Sequence, residues 1–205
     1  MARELQSVVK MSRREGYALH PKAHKALVKR STPPGQQNRM GRGSKPSQYS
    51  IQLREKQKVK RLYGLLERQF RNLMKEASRS SGQSGEVLLS LLEQRADNVV
   101  YRAGFASSRA GARQLVTHGH FLLNDRRFDI PSLRVSVGDV LVARPKSEKS
   151  EYFKRLDDVS PAPSVIPAWL KVNRKKLQID ISGLPTREDA EPDLNENLIV
   201  EYYSR

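Results

Sequence analysis

The chain has 205 residues, with 38 Lys and Arg against 22 Asp and Glu, and its formal net charge is +16. This length suits one or two domains, and the apolar fraction of 37% is low for a globular protein. The absence of cysteine excludes disulfides and thiolate metal sites. No apolar run approaches the roughly 20 residues of a membrane span, and the N-terminal residues lack the apolar core of a signal peptide, so we expect a soluble, cytoplasmic protein.

The excess positive charge is concentrated in the N-terminal third. Residues 1–61 hold 16 Lys and Arg and 3 Glu, a net charge of +13, whereas residues 62–205 hold 22 Lys and Arg and 19 Asp and Glu, a net charge of +3. A segment this basic repels itself unless a polyanion neutralises it, and nucleic acid is the usual polyanion. A solvated basic face is the alternative. An anionic membrane is less favoured, because the segment shows no clean basic amphipathic helix.

Residues 1–46 predict an extended basic arm. Pro33, Pro34 and Gly35 prevent regular structure, and we expect only a short helix near residues 22–30, with the arm ordered mainly by its partner. His20 and His24 are four residues apart and could share a helix face, but neither a cysteine nor a nearby acid completes a ligand set for zinc. We therefore predict no metal site and no cofactor.

Residues 47–78 predict two helices. Ser47 or Ser50 can cap the first helix, because a hydroxyl accepts a hydrogen bond from a free backbone N–H, and Gly64 is expected to end or bend it. The second helix, at about residues 66–79, has apolar residues spaced three to four apart. Residues 80–85, SSGQSG, form a linker.

Residues 84–149 predict a module of two helices and a short antiparallel sheet. Residues 84–104 form the first helix, and Ser108 is the N-cap of the second, residues 109–118. Residues 121–123 and 126–128 predict a hairpin around the turn at Asn124 and Asp125, because these side chains tolerate positive φ. Residues 134–137 and 140–142 predict two further strands.

The remaining chain predicts a helical connection at residues 146–158 and two strands. Leu177, Ile179 and Ile181 alternate as in a half-buried strand, and residues 198–205 alternate less cleanly. The acidic residues between them suit either a basic protein neighbour or solvent; they are Glu188, Asp189, Glu191, Asp193 and Glu196. The predicted fold is α+β. It has a mainly helical body (residues 47–83 with 150–205, the latter containing a β-hairpin), the inserted module (84–149) and the extended basic arm (1–46).

The module offers groups that suit a phosphate backbone. Ser107 and Ser108 place hydroxyls and free backbone N–H groups at a helix N-terminus. Arg109 and Arg113, four residues apart, add two guanidinium groups on one side of that helix. The other candidates lie on the first hairpin: His120, Asn124, Arg126 and Arg127. Together they could span a groove of structured RNA, which proteins recognise mainly by shape.

Nothing in the chain resembles a reaction centre. GxSxG, Walker and HExxH motifs are absent, and Asp97, beside Arg95 and Arg102, is more simply an ion-pair partner. Aromatic residues make up 6% of the chain and none is paired for stacking bases, so folded RNA is favoured over single strands. We therefore predict an RNA-binding protein that is not an enzyme and has no small-molecule substrate.

A family resemblance narrows this prediction. The run RADNVVYRAGFASSRAGARQLVTHGHFLLNDRRFDIPS, followed by VGD, resembles the RNA-binding module of small ribosomal subunit protein four. That module is shared with some pseudouridine synthases, a heat-shock ribosome-binding protein and tyrosyl-tRNA synthetases. The segments MARE…SRREG, PPGQ, YSIQLREKQKVKRLYGLLERQFRNLMKEA and LNENLIVEYYSR resemble the bacterial ribosomal protein itself. Many members bind zinc through four cysteines in the arm, but Val9 and Ser12 occupy the positions of the first pair here, as in the zinc-free branch.

The resemblance implies a structural protein of the small ribosomal subunit, in the cytoplasm, that binds 16S ribosomal RNA, nucleates assembly of the 30S body and affects translational accuracy. The implied partners are 16S RNA, messenger RNA at the entry channel, small-subunit protein five and, functionally, protein twelve. Arg39, Arg42 and Lys45 match the family's messenger-entry positions. The further RNA-binding candidates in the basic segments are Arg3, Arg13, Arg14, Lys56, Lys58 and Arg61. The alternative is an RNA-modifying or ribosome-associated factor that uses the same module.

Overall fold

The computed structural model describes residues 6–35 and 45–204. The chain forms two compact units, unit 1 (residues 1–87 and 193–205) and unit 2 (residues 88–192). In the described ranges the helices are α1 Val8–Glu15, α2 Pro21–Lys29, α3 Gln48–Leu62, α4 Glu67–Ala77, α5 Ser84–Glu93, α6 Ala96–Arg102, α7 Arg109–Thr117, α8 Pro145–Glu148, α9 Glu151–Lys154, α10 Leu156–Val159 and α11 Glu196–Tyr203. The strands are β1 Phe121–Leu123, β2 Arg126–Arg127, β3 Val140–Ala143, β4 Leu170–Asn173 and β5 Gln178–Ile181, and a 3₁₀ turn covers Arg187–Asp189. The predicted α+β class is confirmed.

Unit 1 is built from helices. The Ser47 hydroxyl accepts a hydrogen bond from the backbone N–H of Ser50 and so caps α3, as one of the two predicted caps. Gly64, at φ +64°, follows α3 and reverses the chain into α4. Residues 8–15, inside the predicted extended arm, are helical, because Met11 and Ser12 are buried on one side of α1. The short helix expected near residues 22–30 corresponds to α2.

The C-terminal segment belongs to unit 1 as a helix. The prediction of a strand at residues 198–205 is wrong, because this segment forms α11, whose Ile199 is fully buried. Gln52 of α3 donates a hydrogen bond of 2.7 Å to Glu201, and the rings of Tyr49 and Tyr202 lie 5.7 Å apart. The terminal helix is therefore fixed to α3 by both polar and aromatic contacts.

Unit 2 is organised around a five-stranded antiparallel sheet in the order β2-β1-β3-β5-β4. Phe121 of β1 is fully buried and lies about edge-on to Phe153, at 5.9 Å between ring centroids. Because β5 pairs with β3, residues 150–192 belong with the predicted module rather than with the helical body, to which the sequence pattern assigned them. Only residues 193–205 return to unit 1.

Two further predictions in unit 2 differ from the structure. The single helix expected over residues 84–104 is two helices, α5 and α6, separated at Arg95. Arg95 has an extended backbone and forms an isolated bridge with Arg134, and Ala96 N–H donates to the carbonyl of Leu133. These long-range bonds replace the helical ones. Arg134 forms the bridge, and no strand covers residues 134–137 where one was predicted.

Candidate nucleic-acid interface

The N-terminus of α7 has the predicted cap. Ser108 is extended, and its hydroxyl accepts a hydrogen bond of 3.1 Å from the backbone N–H of Gly111. A Cβ at Gly111 would lie 3.3 Å from this hydroxyl oxygen, a tight contact that a small shift of the serine side chain would relieve. Ser107, one residue earlier, is exposed.

Arg109 is held by neighbours inside unit 2. Its Nε donates to Oδ1 of Asn98 at 2.9 Å, and its Nη2 lies 3.2 Å from a carboxylate oxygen of Glu191. Its guanidinium group also lies 4.5 Å from the centroid of the Tyr101 ring, within cation–π range. With 12% of its side chain exposed, Arg109 positions the helix as much as it displays charge.

Arg113 lies beside a second buried ion pair. Arg95 donates two hydrogen bonds to Asp97, at 3.0 and 2.8 Å, and Arg113 lies 3.8 Å from the same carboxylate. Arg102 makes an analogous paired contact with Glu93, at 3.0 and 2.8 Å. Removal of one partner from such a buried pair leaves a charge without compensation.

Most of the carboxylates that pair with these arginines were not identified from the sequence. Asp97 was predicted to be an ion-pair partner, and its pair with Arg95 confirms this. Its second arginine neighbour is Arg113, whereas Arg102, which lies near Asp97 in the sequence, pairs with Glu93. Glu191 is 82 residues from Arg109 in the chain, and no local pattern could have indicated that it pairs with that arginine.

The hairpin turn has the predicted geometry. Asn124 and Asp125 have φ of +47° and +64°, as a two-residue hairpin turn requires. The Asn124 amide donates to Asp139 at 2.8 Å and accepts from the N–H of Val140 at 2.9 Å, so it holds the turn against β3. Asn124 is nevertheless exposed, so its predicted RNA contact stays a prediction beside this structural role.

The outward groups of this hairpin are arginines. Arg126 and Arg127 are exposed on β2, which has a partner strand on one side only. The Arg127 guanidinium group lies over Gly119, where a Cβ would be 3.1 Å from Nε. Of the predicted contacts in unit 2, the structure exposes Ser107, Asn124, Arg126 and Arg127.

His120 lies at the base of the hairpin. Its Nδ1 is 3.0 Å from the Ser147 hydroxyl, and burial, followed by the charges of His118 and Arg144, lowers the pKa of His120 below its ordinary value. The neutral imidazole is therefore favoured at physiological pH. It is suited to a hydrogen bond rather than to a charge contact.

Three of the cations predicted on α3 are used inside unit 1. Lys56 is 3% exposed and donates to both carboxylate oxygens of Glu67 at 2.9 Å. Lys58 donates to the carbonyl of Asp193 at 2.9 Å, and Arg61 pairs with Glu15. Lys56, Lys58 and Arg61 thus all make contacts within unit 1, although Nε of Arg61 is buried without a hydrogen-bond partner among the described residues.

The RNA-binding candidates of the basic arm lie in different environments. Arg13 donates to the carbonyl of Thr32 at 3.1 Å, whereas Arg14 and Lys45 are exposed. Arg3, Arg39 and Arg42 lie outside the described residues. Within residues 6–35 and 45–204, no group of three or more His, Asp or Glu side chains could hold a metal ion, and no helix is both long and apolar enough to cross a bilayer.

Comparison with known proteins gives a full-length match. Residues 3–93 match the family described as ribosomal protein S4/S9 N-terminal domain, and residues 94–141 match the S4 domain. Small ribosomal subunit protein uS4 of Chloroflexus aurantiacus is 53% identical, with 100% of both chains covered. The chain belongs to the uS4 family. The uS4 proteins of Clostridioides difficile and Roseiflexus castenholzii are 51% and 49% identical, also over 100% of both chains.

Membership of the uS4 family confirms the resemblance found in the sequence. The two family matches meet between residues 93 and 94, where α5 ends and the chain extends through Arg95. The S4 domain match ends at residue 141, inside β3. Strands β4 and β5 therefore extend the sheet of this uS4 chain beyond the matched S4 domain.

Proposed function

We propose that this chain is a structural RNA-binding protein of the small ribosomal subunit, in the cytoplasm, that binds folded 16S ribosomal RNA. The observation that carries the proposal is the match to proteins named small ribosomal subunit protein uS4 along the whole chain. The net charge of +16 supports a polyanionic partner. The alternative of an RNA-modifying or ribosome-associated factor is not favoured, because the match includes residues outside the shared module.

In unit 2 the proposed contact surface is Ser107 with Arg126 and Arg127. Exposed guanidinium groups suit phosphate oxygens because they donate two hydrogen bonds in one plane. His120 adds a neutral donor or acceptor at the edge of this surface. Arg109 and Arg113 serve first to position α7, since both lie beside carboxylates within unit 2.

Further parts of the proposal rest on the family resemblance. The chain has no catalytic activity of its own, and it takes part in assembly of the 30S body and in translational accuracy. Its protein partners are small-subunit protein five and, functionally, protein twelve. Lys45, exposed here, would face messenger RNA at the entry channel together with Arg39 and Arg42.

Filter binding to the 5′ domain of 16S RNA over a salt series tests the proposal. Affinity should fall steeply with salt, because each phosphate contact releases condensed cations. The variant Arg126→Gln/Arg127→Gln should show a weaker salt dependence, whereas Lys149→Gln/Lys154→Gln, in a segment rich in acids, serves as the charge-matched control. A flat salt response of the unsubstituted protein, or equal affinity for an unrelated duplex, would contradict the proposed function.

A further inference from the structure

Helix α4 presents a row of cations on the face opposite its buried side. Phe70, Met74 and Ala77 are the buried residues. The cations are spaced three to four residues apart, so with 3.6 residues per turn they lie along one side of the helix. We call this set the α4 basic row: Arg68, Arg71 and Lys75 of α4 and Arg79, two residues past its end, all of them exposed. Asn72, also exposed, lies among them.

The acidic residue at the start of α4 turns away from this row. Glu67 accepts hydrogen bonds from Lys56 and from the Tyr203 hydroxyl, each at 2.9 Å, and lies 3.3 Å from Lys60. Its negative charge therefore pairs with groups of α3 and α11 rather than with the cations of the row. Glu76 lies at the flank of the row, so four positive charges face at most one nearby negative charge on this helix.

The row carries an energetic cost within the isolated chain. Like charges three or four residues apart destabilise a helix by roughly 0.2–0.5 kcal/mol per pair, and Arg68 to Arg71 and Arg71 to Lys75 are two such pairs within α4. Arg68 also lies in the first turn, where the helix dipole disfavours a cation. An anionic partner along the row would relieve each of these terms.

We propose that the α4 basic row binds the phosphate backbone of folded RNA, as a contact surface of unit 1. This inference rests on the proposed function and names a further surface of the protein that contacts the RNA. The helical part of the row, from Arg68 to Lys75, extends over about 10 Å, given a rise of about 1.5 Å per residue, which is enough for a few consecutive phosphates. Its arginines can bind phosphate oxygens in a bidentate manner. A membrane surface fits poorly, because the apolar side of α4 is already buried.

The contrast with α3 supports this assignment. Both helices are rich in cations, but Lys56 and Arg61 of α3 are used in ion pairs and are at most one-tenth exposed as side chains. The α4 basic row, by contrast, stays exposed when those internal pairs are formed.

The test compares two triple variants that lose the same charge. Arg68→Gln/Arg71→Gln/Lys75→Gln removes three members of the row, and Lys149→Gln/Lys154→Gln/Arg155→Gln removes three exposed cations of unit 2 that lie among acids such as Glu151. In filter binding to the 16S 5′ domain, each lost phosphate contact should lower the slope of log affinity against log salt by about 0.9. At about 0.1 M salt this is roughly eightfold in affinity per contact. We expect a slope lower by about 2–3 for the first variant and affinity within about twofold of the unsubstituted protein for the second.

An unchanged slope in the α4 variant, with the steep salt dependence of the unsubstituted protein intact, would overturn the α4 assignment alone. A flat response of the unsubstituted protein would instead reject the proposed function. Circular dichroism of both variants checks that they fold.

A second measurement does not depend on removing charge. The chain has no cysteine, so Asn72→Cys provides a single attachment point for an iron chelate inside the row. Hydroxyl radicals generated there should cut the bound 16S 5′ domain at a few discrete positions. A complex that forms with normal affinity and shows no such cuts would also overturn the assignment.

Discussion

Replacement of Glu67 by Gln should destabilise unit 1, because it leaves the buried ammonium group of Lys56 without a negatively charged partner. The Lys56 side chain is 4% exposed, and removal of one partner from a fully buried pair costs about 3–5 kcal/mol. The Glu67 side chain is 47% exposed, so water already screens part of the attraction. Lys56 also keeps the Tyr202 ring at 4.7 Å. We therefore expect about 2 kcal/mol, or roughly 4–8 °C in Tm for a chain of this size.

The reverse substitution gives the diagnostic comparison. Lys56→Met removes the same ion pair but leaves a half-exposed carboxylate, which keeps Lys60 at 3.3 Å, and should cost less than about 1 kcal/mol. Urea denaturation followed by far-ultraviolet circular dichroism measures both variants, with Glu86→Gln, an exposed glutamate of unit 1, as the control. A larger loss for Lys56→Met than for Glu67→Gln would refute the reasoning.

The same pair predicts a pH dependence. Burial acts to raise the pKa of Glu67, but hydrogen bonds from Lys56 and Tyr203 outweigh it and leave this pKa below its ordinary value of 4.5. An acid whose pKa is lower in the folded state stabilises the fold above its ordinary pKa. This stabilisation is lost as pH falls through the lowered value. The difference in stability between the unsubstituted protein and Glu67→Gln should therefore be full at neutral pH and shrink in acid.

Two further predictions concern residues with positive φ in unit 2, and both are measured as shifts in the denaturation midpoint. Gly104→Ala should cost about 2–4 kcal/mol, because its φ is +75° and its new Cβ would lie 2.3 Å from Cδ of Pro163. Gly138→Ala, at φ +90° with open space around it, should cost only the backbone part, about 1–2 kcal/mol, and equal losses would contradict the packing argument. Asp125→Gly should stabilise the hairpin by about 0.5 kcal/mol, since glycine favours its φ of +64°. Asn124→Gly should destabilise it, because two side-chain hydrogen bonds are lost; a gain in stability there would show that they contribute little.

Local signals predicted the parts of the fold that depend on neighbouring residues. The Ser108 cap, the turn at Asn124 and Asp125 and the end of α3 at Gly64 follow from short-range hydrogen bonds and from φ preferences, which a few consecutive residues determine. The break at Arg95 depends on a bridge to Arg134, 39 residues later, and could not be predicted from the helical pattern around it. The C-terminal helix was missed because its apolar residues fit a period of two nearly as well as the helical period.

The candidate site was harder to predict because a cation is defined by its surroundings as much as by its identity. A large number of arginine and lysine residues indicates a nucleic-acid partner. The sequence does not show, however, which of these residues already form an ion pair with a carboxylate of the same chain. Lys56 and Arg61 were natural candidates in a basic segment, and both pair with glutamates from other helices. These pairings span 11 and 46 residues, beyond the reach of helical periodicity.

The same reasoning separates two uses of arginine in unit 2. Arg109 lies within bonding distance of Asn98 and Glu191 and over the Tyr101 ring, so its guanidinium plane is already oriented before any partner arrives. A side chain with a fixed plane loses little entropy on meeting a phosphate, but it must give up part of its internal bonding to do so. Arg126, exposed on an edge strand, differs in both respects. It does not have to give up internal bonds to bind a phosphate, but its side chain loses rotamer entropy when it does so. Substitutions at exposed arginines therefore report on RNA affinity, whereas substitutions at Arg109 report on the fold and on affinity together.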